Sequence, residues 1–146
     1  IELNQVLNVL GVRERSVAGV VEAMRTGHAY AVAQPILPMG LRLQRFDVGT
    51  DGGERAARSG EIFARRGSEE VVIRAAVSTA DAKPHAVTLS LIRSGQVIAR
   101  MTGNTPLEQR FVDRTLPAGE QAFYRVEVHG EGEILSNPIF VMPGPN

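Results

Sequence analysis

AFYRVEVHGEGEILSNPIFVMP, Ala122 to Pro143, reads as two strands joined by a Gly-rich turn, a hairpin. Tyr124, Val126 and Val128 alternate with Arg125, Glu127 and His129, the period of a strand with one face in a core and the other in water. Just before it, in LPAGEQAFY, Pro117 and Gly119 mark a turn.

The same order, turn and then a Tyr at a strand entrance, begins the penultimate strand of an immunoglobulin-like or fibronectin-like sandwich. There the Tyr packs inward while its hydroxyl bonds backbone upstream, a tyrosine corner. Tyr124 carries either this role or the plainer one of a core aromatic. Working backwards, period-two patterning holds from Gly40 onward. LRLQRFDV is a strand with Leu41, Leu43 and Phe46 inward, TDGGE is a turn, and GEIFARRG is a short edge piece. In EEVVIRAAVSTA, Val71, Ile73, Ala75 and Val77 share a face. AVTLSLIR and QVIARM flank Ser94 and Gly95, the two-residue connection of a tight hairpin. PLEQRFVDRTL alternates Leu107, Gln109 and Phe111 against Glu108, Arg110 and Val112. The expected fold is mainly β, an antiparallel sandwich of about seven strands. Its expected core is Leu43, Val71, Ile73, Val77, Leu89, Leu91, Phe111, Tyr124, Val126, Val128 and Ile139.

The N-terminal part follows a different period. Ile1 to Gly11 has apolar residues at positions 3, 6, 7 and 10, the spacing of one helix face, with Gly11 to end it. SVAGVVEAMRTG predicts a second helix: Ser16 caps it, Val17, Val20, Val21 and Met24 form a stripe, and Gly27 takes the left-handed C-terminal position. HAYAVAQ alternates as a short strand before QPILPMG, where Pro35 and Pro38 break the chain. This places a boundary between an N-terminal helix and strand segment, residues 1–34, and a sandwich domain, residues 35–146.

Composition narrows the function classes. The chain of 146 residues suffices for one domain with a core, and the absence of Cys excludes disulfides and Cys-based zinc sites. Sixteen basic and sixteen acidic residues cancel, so no general field draws the chain to nucleic acid or an anionic membrane. No apolar run reaches the roughly 20 residues of a membrane span. The chain opens on Ile1 and not Met, so its N-terminus is expected to have been trimmed, and any signal peptide or upstream domain is out of sight.

No motif signals catalysis. His28, His85 and His129 are far apart in sequence and lack a neighbouring His at metal-ligand spacing, so each is read as structural or solvated. Asp47, Asp51 and Glu54 around Gly52 and Gly53 lack the alternating oxygens of a calcium loop and are explained by turn chemistry. No serine lies in G-x-S-x-G, and no phosphate loop or dinucleotide fingerprint occurs. Arg55, Arg58, Arg65 and Arg66 are read as a solvated edge that discourages sheet-to-sheet pairing. No catalytic, cofactor-binding or metal-ligating residue is assigned.

Two parts of the chain add a resemblance. VVEAMRTGHAYAV, Val20 to Val32, is similar to the helix, Gly and strand that finish the catalytic barrel of PHP (polymerase and histidinol phosphatase) metal-dependent phosphoesterases, the CehA/McbA-like metallohydrolases. The ordered set LIRSGQVIAR, AGEQAFYRVEV and ILSNPIFV resembles the β-rich tail that follows that barrel, Ser-Asn-Pro-Ile at 136 to 139 being its most specific piece. The resemblance implies a non-catalytic accessory domain that packs on an adjacent catalytic domain of the same parent protein, a hydrolase, or regulates access to it. The divalent metals it implies belong to that barrel, because the family's His-x-His pair does not occur here and His28 corresponds to no ligand. A homo-oligomeric contact through the N-terminal segment is a further expectation. Two other readings compete. A stand-alone module binding a glycan or protein partner would want an aromatic platform, yet Tyr30 and Tyr124 are the only Tyr residues and Trp is absent. An independent hydrolase would want a site that the motifs do not supply.

Overall fold

The computed structural model describes residues 4–35 and 40–145. Their elements are β1 (Asn4–Leu10), α1 (Val17–Thr26), β2 (Ala29–Pro35), β3 (Leu41–Gly49), β4 (Ala56–Arg58), β5 (Ile62–Arg65) and β6 (Val71–Thr79). There follow β7 (Ala86–Arg93), β8 (Gln96–Asn104), β9 (Leu107–Asp113), β10 (Ala122–His129), β11 (Glu133–Ser136) and β12 (Ile139–Pro143). The chain is mainly β, with one short helix.

The larger, eight-stranded sheet is arranged around β10. One side of β10 pairs with β7, which continues to β8. The other side is shared, β11 taking residues 127 to 129 and β12 taking residues 122 to 124. Beyond β11 lie β2 and then β1; beyond β12 lies β5, the one parallel pair among the described strands. The second sheet runs β4, β3, β6, β9, all antiparallel. Their inner faces meet in a sandwich core in which Val71, Ile73, Val77, Leu89, Leu91, Tyr124, Val126, Val128 and Ile139 are no more than 2% exposed. Leu43 and Phe111, expected in the same core, are only partly buried against it.

The opening stretch holds three strands where two are expected. Pro138 has no N–H to give a ladder, so Asn137 and Pro138 divide the second arm into β11 and β12. The division leaves the Val126 N–H without a strand partner, and it donates to the Ser136 hydroxyl at 2.9 Å instead. This division, together with the unexpected β1 and β4, raises the strand total above the expected seven.

Ser94 and Gly95 link β7 to β8 with φ of 47° and 87°, the two left-handed residues a two-residue hairpin turn requires. In β3 the register shifts between Leu43 and Arg45. The extra residue turns both Gln44 and Arg45 outward and returns Phe46 to the core.

Residues 4 to 10 correct the expectation of a helix over Ile1 to Gly11: they form β1, antiparallel to β2 from Asn4↔Pro35 to Leu10↔Ala29. A helix this short is marginal on its own, whereas the free edge of β2 offers backbone partners to the residues of β1 that face it along the whole of its length. The second helix forms as expected. Ser16 accepts from the Gly19 N–H at 3.1 Å and Gly27 closes the helix at φ 73°. HAYAVAQ is β2, a strand of the larger sheet whose Val32 joins the core. Pro35 ends β2, and Pro38 lies outside the described residues.

Candidate interaction face and inter-sheet cleft

The helix is fixed at one end and bare along its length. At the C-terminal end, Asn137 Nδ2 donates to the Gly27 carbonyl at 3.0 Å, and the Gly60 N–H donates to the Pro138 carbonyl at 2.8 Å. Gly60 must be glycine: a Cβ there would stand 1.9 Å from the Thr26 carbonyl oxygen, and its φ is +84°. The Ser-Asn-Pro-Ile tetrapeptide is therefore a junction that ties the helix end to the sheet. Along α1 only Ala23 is buried. Val17, Val21 and Met24 are 82%, 58% and 67% exposed, and Val20 is exposed beside them. β1 adds Val6, 73% exposed, with Leu7 and Val9, and it stands at the end of its sheet. Its sequence, NQVLNVL, carries no charge and no Pro, the usual protections of an edge strand.

The Asp113 region contrasts with this. Asp113 ends β9 in the smaller sheet, 2% exposed, while Tyr124 and Arg93 belong to the larger one. Tyr124 donates its hydroxyl hydrogen to Asp113 Oδ2 at 2.7 Å, and Arg93 Nη1 donates to the same oxygen at 2.6 Å. Oδ1 accepts from the Thr115 N–H and hydroxyl, each at 2.8 Å. This corrects the tyrosine-corner reading, since the Tyr124 hydroxyl meets a buried carboxylate and not upstream backbone. Burial pushes the Asp113 carboxyl up, but the bonds from Tyr124, Thr115 and Arg93 outweigh it and hold the group below the usual carboxylate range. Burial, reinforced by the Asp113 charge, raises the Tyr124 hydroxyl well above its ordinary value.

The arginine run divides. Arg65 is buried, correcting its reading as solvated edge: its guanidinium donates to the carbonyls of Glu69, Leu116 and Pro117 at 2.8 to 3.0 Å. Arg55 donates to both Glu69 oxygens and lies over the Phe63 ring at 5.2 Å. Arg58 and Arg66 are exposed.

Asp47 is engaged by Arg45 and, at 3.1 Å, by Arg74, and Asp51 by Arg110, so arginines occupy two of the acidic groups around the Gly52 turn. The histidines stand on separate elements beside carboxylates. His85 meets Asp81 at 2.8 Å and Glu131 at 3.4 Å, and His129 meets Glu133 at 3.3 Å. Asp81 is lowered to about 2 by the Lys83 N–H first and by His85 next. His28 Nε2 lies 3.1 Å from Glu61 Oε1, at an angle outside hydrogen-bond geometry, so this buried nitrogen is without a hydrogen-bond partner. Among the described residues no three His, Asp or Glu side chains converge as a metal-holding group. No helix among them is long and apolar enough to cross a membrane.

A cleft of about 700 Å³ opens where β1, β2, β3 and β4 meet. Leu43 and Phe46 give it an apolar floor, Tyr30 and His28 line its side, and Arg13, Arg45 and Arg58 are set around it. Glu61 Oε2 accepts from the Arg58 N–H at 2.8 Å and so fixes the backbone from which that arginine projects.

The Asp113 network had one readable signal: Leu107, Gln109, Phe111 and Asp113 share strand parity, which places a carboxylate on the inward face. The cleft draws on segments separated along the chain and has no comparable local pattern. Comparison with known proteins finds no matching family model and no matching curated protein.

Proposed function

We propose that this chain is a non-catalytic β-sandwich accessory domain that packs on an adjoining catalytic domain through the apolar face of α1 and β1. The observation that carries this reading is the exposure of Val17, Val21 and Met24 on a helix whose sole buried residue is Ala23. A ten-residue helix is marginal without packing, and an apolar face beside an uncharged edge strand is the kind of surface that a partner covers. The resemblance to the tail of PHP-type metal-dependent phosphoesterases supplies the partner's class: a metal-dependent hydrolase barrel in the same parent protein, which would hold the divalent ions. In the chain alone, the same face is expected to bring two copies together at high concentration.

Two experiments test the reading. Extending the chain with the coding sequence that precedes Ile1 should slow amide exchange over Val17 to Met24, and unchanged exchange there would contradict the docking role. The chain alone, assayed with manganese or zinc on a generic phosphodiester, should show no turnover, since two-metal hydrolysis needs several carboxylates and imidazoles converging on the ions. Turnover abolished by replacing one of the chain's own His or Asp residues would overturn the non-catalytic assignment.

A further inference from the structure

We propose that the inter-sheet cleft is a binding site for a small organic carboxylate with an apolar body. The cleft holds about 700 Å³, within the range of ligand pockets, and joins an apolar floor to a cationic rim. Leu43, only partly buried, offers the ligand body an apolar surface, with the buried Phe46 behind it. On the rim, Arg45 is engaged by Asp47, but no carboxylate among the described residues lies within ion-pair distance of Arg13 or Arg58. Both are exposed, and Ser59 adds a hydroxyl to the same lining.

Charge selects the class. Arg13, Arg45 and Arg58 against Glu61 leave the lining positive, with Asp47 shared between Arg45 and Arg74, which favours an anionic ligand. A guanidinium presents its donors in the fork that a carboxylate accepts with two oxygens. The local backbone is built to hold this rim. The β3 bulge turns Gln44 and Arg45 outward, the Gly11 N–H bonds the His28 carbonyl at 2.7 Å to fix the turn leading to Arg13, and Glu61 anchors Arg58.

Benzoate is the probe, titrated into the full chain and followed by backbone and arginine side-chain resonances, with benzyl alcohol as the neutral analogue of similar size. Benzoate should give saturable shifts centred on Arg13, Tyr30, Leu43 and Arg58, and benzyl alcohol should bind at least about tenfold more weakly, the loss of a charge-assisted pair. Arg58→Gln and Arg13→Gln should each weaken benzoate about tenfold on the same basis, whereas Arg100→Gln, outside the cleft, should leave it unchanged. Both cleft arginines are exposed, so their variants should keep the parent spectrum elsewhere and remain readable. Absence of saturation, shifts spread equally over Arg42 and Arg100, or full affinity in both cleft variants would overturn the proposal. The cleft shares Val9 and Leu10 of β1 with the docking face, but its arginines lie outside α1, so titration in the cleft and exchange in α1 fail separately.

Discussion

Asp113 and the α1 stripe are opposite answers to the same question of what a side chain does once the fold has placed it. Asp113 is a charge inside the protein, and every neighbour is a donor: Tyr124 and Arg93 from one sheet, Thr115 from its own loop. Val17, Val21 and Met24 are apolar groups in water, and nothing in the described chain covers them. The first arrangement is closed and holds the two sheets together; the second is open and has surface left for something else. Their difference separates what maintains this domain from what it offers to a partner.

Breaking the closed region should have the largest effect. Asp113→Ala takes the acceptor from the buried Tyr124 hydroxyl and the counter-charge from Arg93, which keeps only the Thr115 hydroxyl, and should cost about 3–5 kcal/mol in urea unfolding. Val126→Ala, which removes buried methyls at a fully enclosed position, should cost about 2 kcal/mol by lost burial plus cavity. Tyr124→Phe keeps the ring and deletes one donor, for about 1–2 kcal/mol.

Acid acts on the same network. The folded-state Asp113 and Asp81 carboxyls lie below their ordinary values, so their stabilisation is present above about pH 4 and is lost as pH falls through the depressed values. Urea midpoints measured from pH 6 down to pH 2.5 should therefore fall, and Asp113→Asn should flatten part of that slope. At the open region, Val21→Ser should change the stability of the chain alone by no more than about 0.5 kcal/mol, as for other exposed positions. The same substitution should weaken self-association at high concentration, read by light scattering.

The unequal legibility of the two regions has a physical source. Strand parity in β6, β7, β9 and β10 and the caps at Ser16 and Gly27 are local properties of neighbouring residues, and these elements were readable in the sequence, whereas β4 and the division between β11 and β12 were not. Nor were residues 4 to 10, because their strand form depends on partners in β2 distant along the chain, from Leu10↔Ala29 to Asn4↔Pro35. Arg65 was read as surface because it sits in a charged run, yet its acceptors at Leu116 and Pro117 come from a distant turn. The Ser-Asn-Pro-Ile junction was visible as a motif, but its task, satisfying Val126 and holding the end of α1, required the contacts themselves.

Amide exchange of the chain in its monomeric form compares the two regions in one experiment. If α1 is a docking face awaiting its partner, the amides from Val17 to Met24 should exchange at least about a hundredfold faster than those from Val71 to Val77, local opening there being far easier than global unfolding. Equal protection of the two segments in the monomer would mean that the helix belongs to the sandwich's own cooperative unit, and would contradict the account.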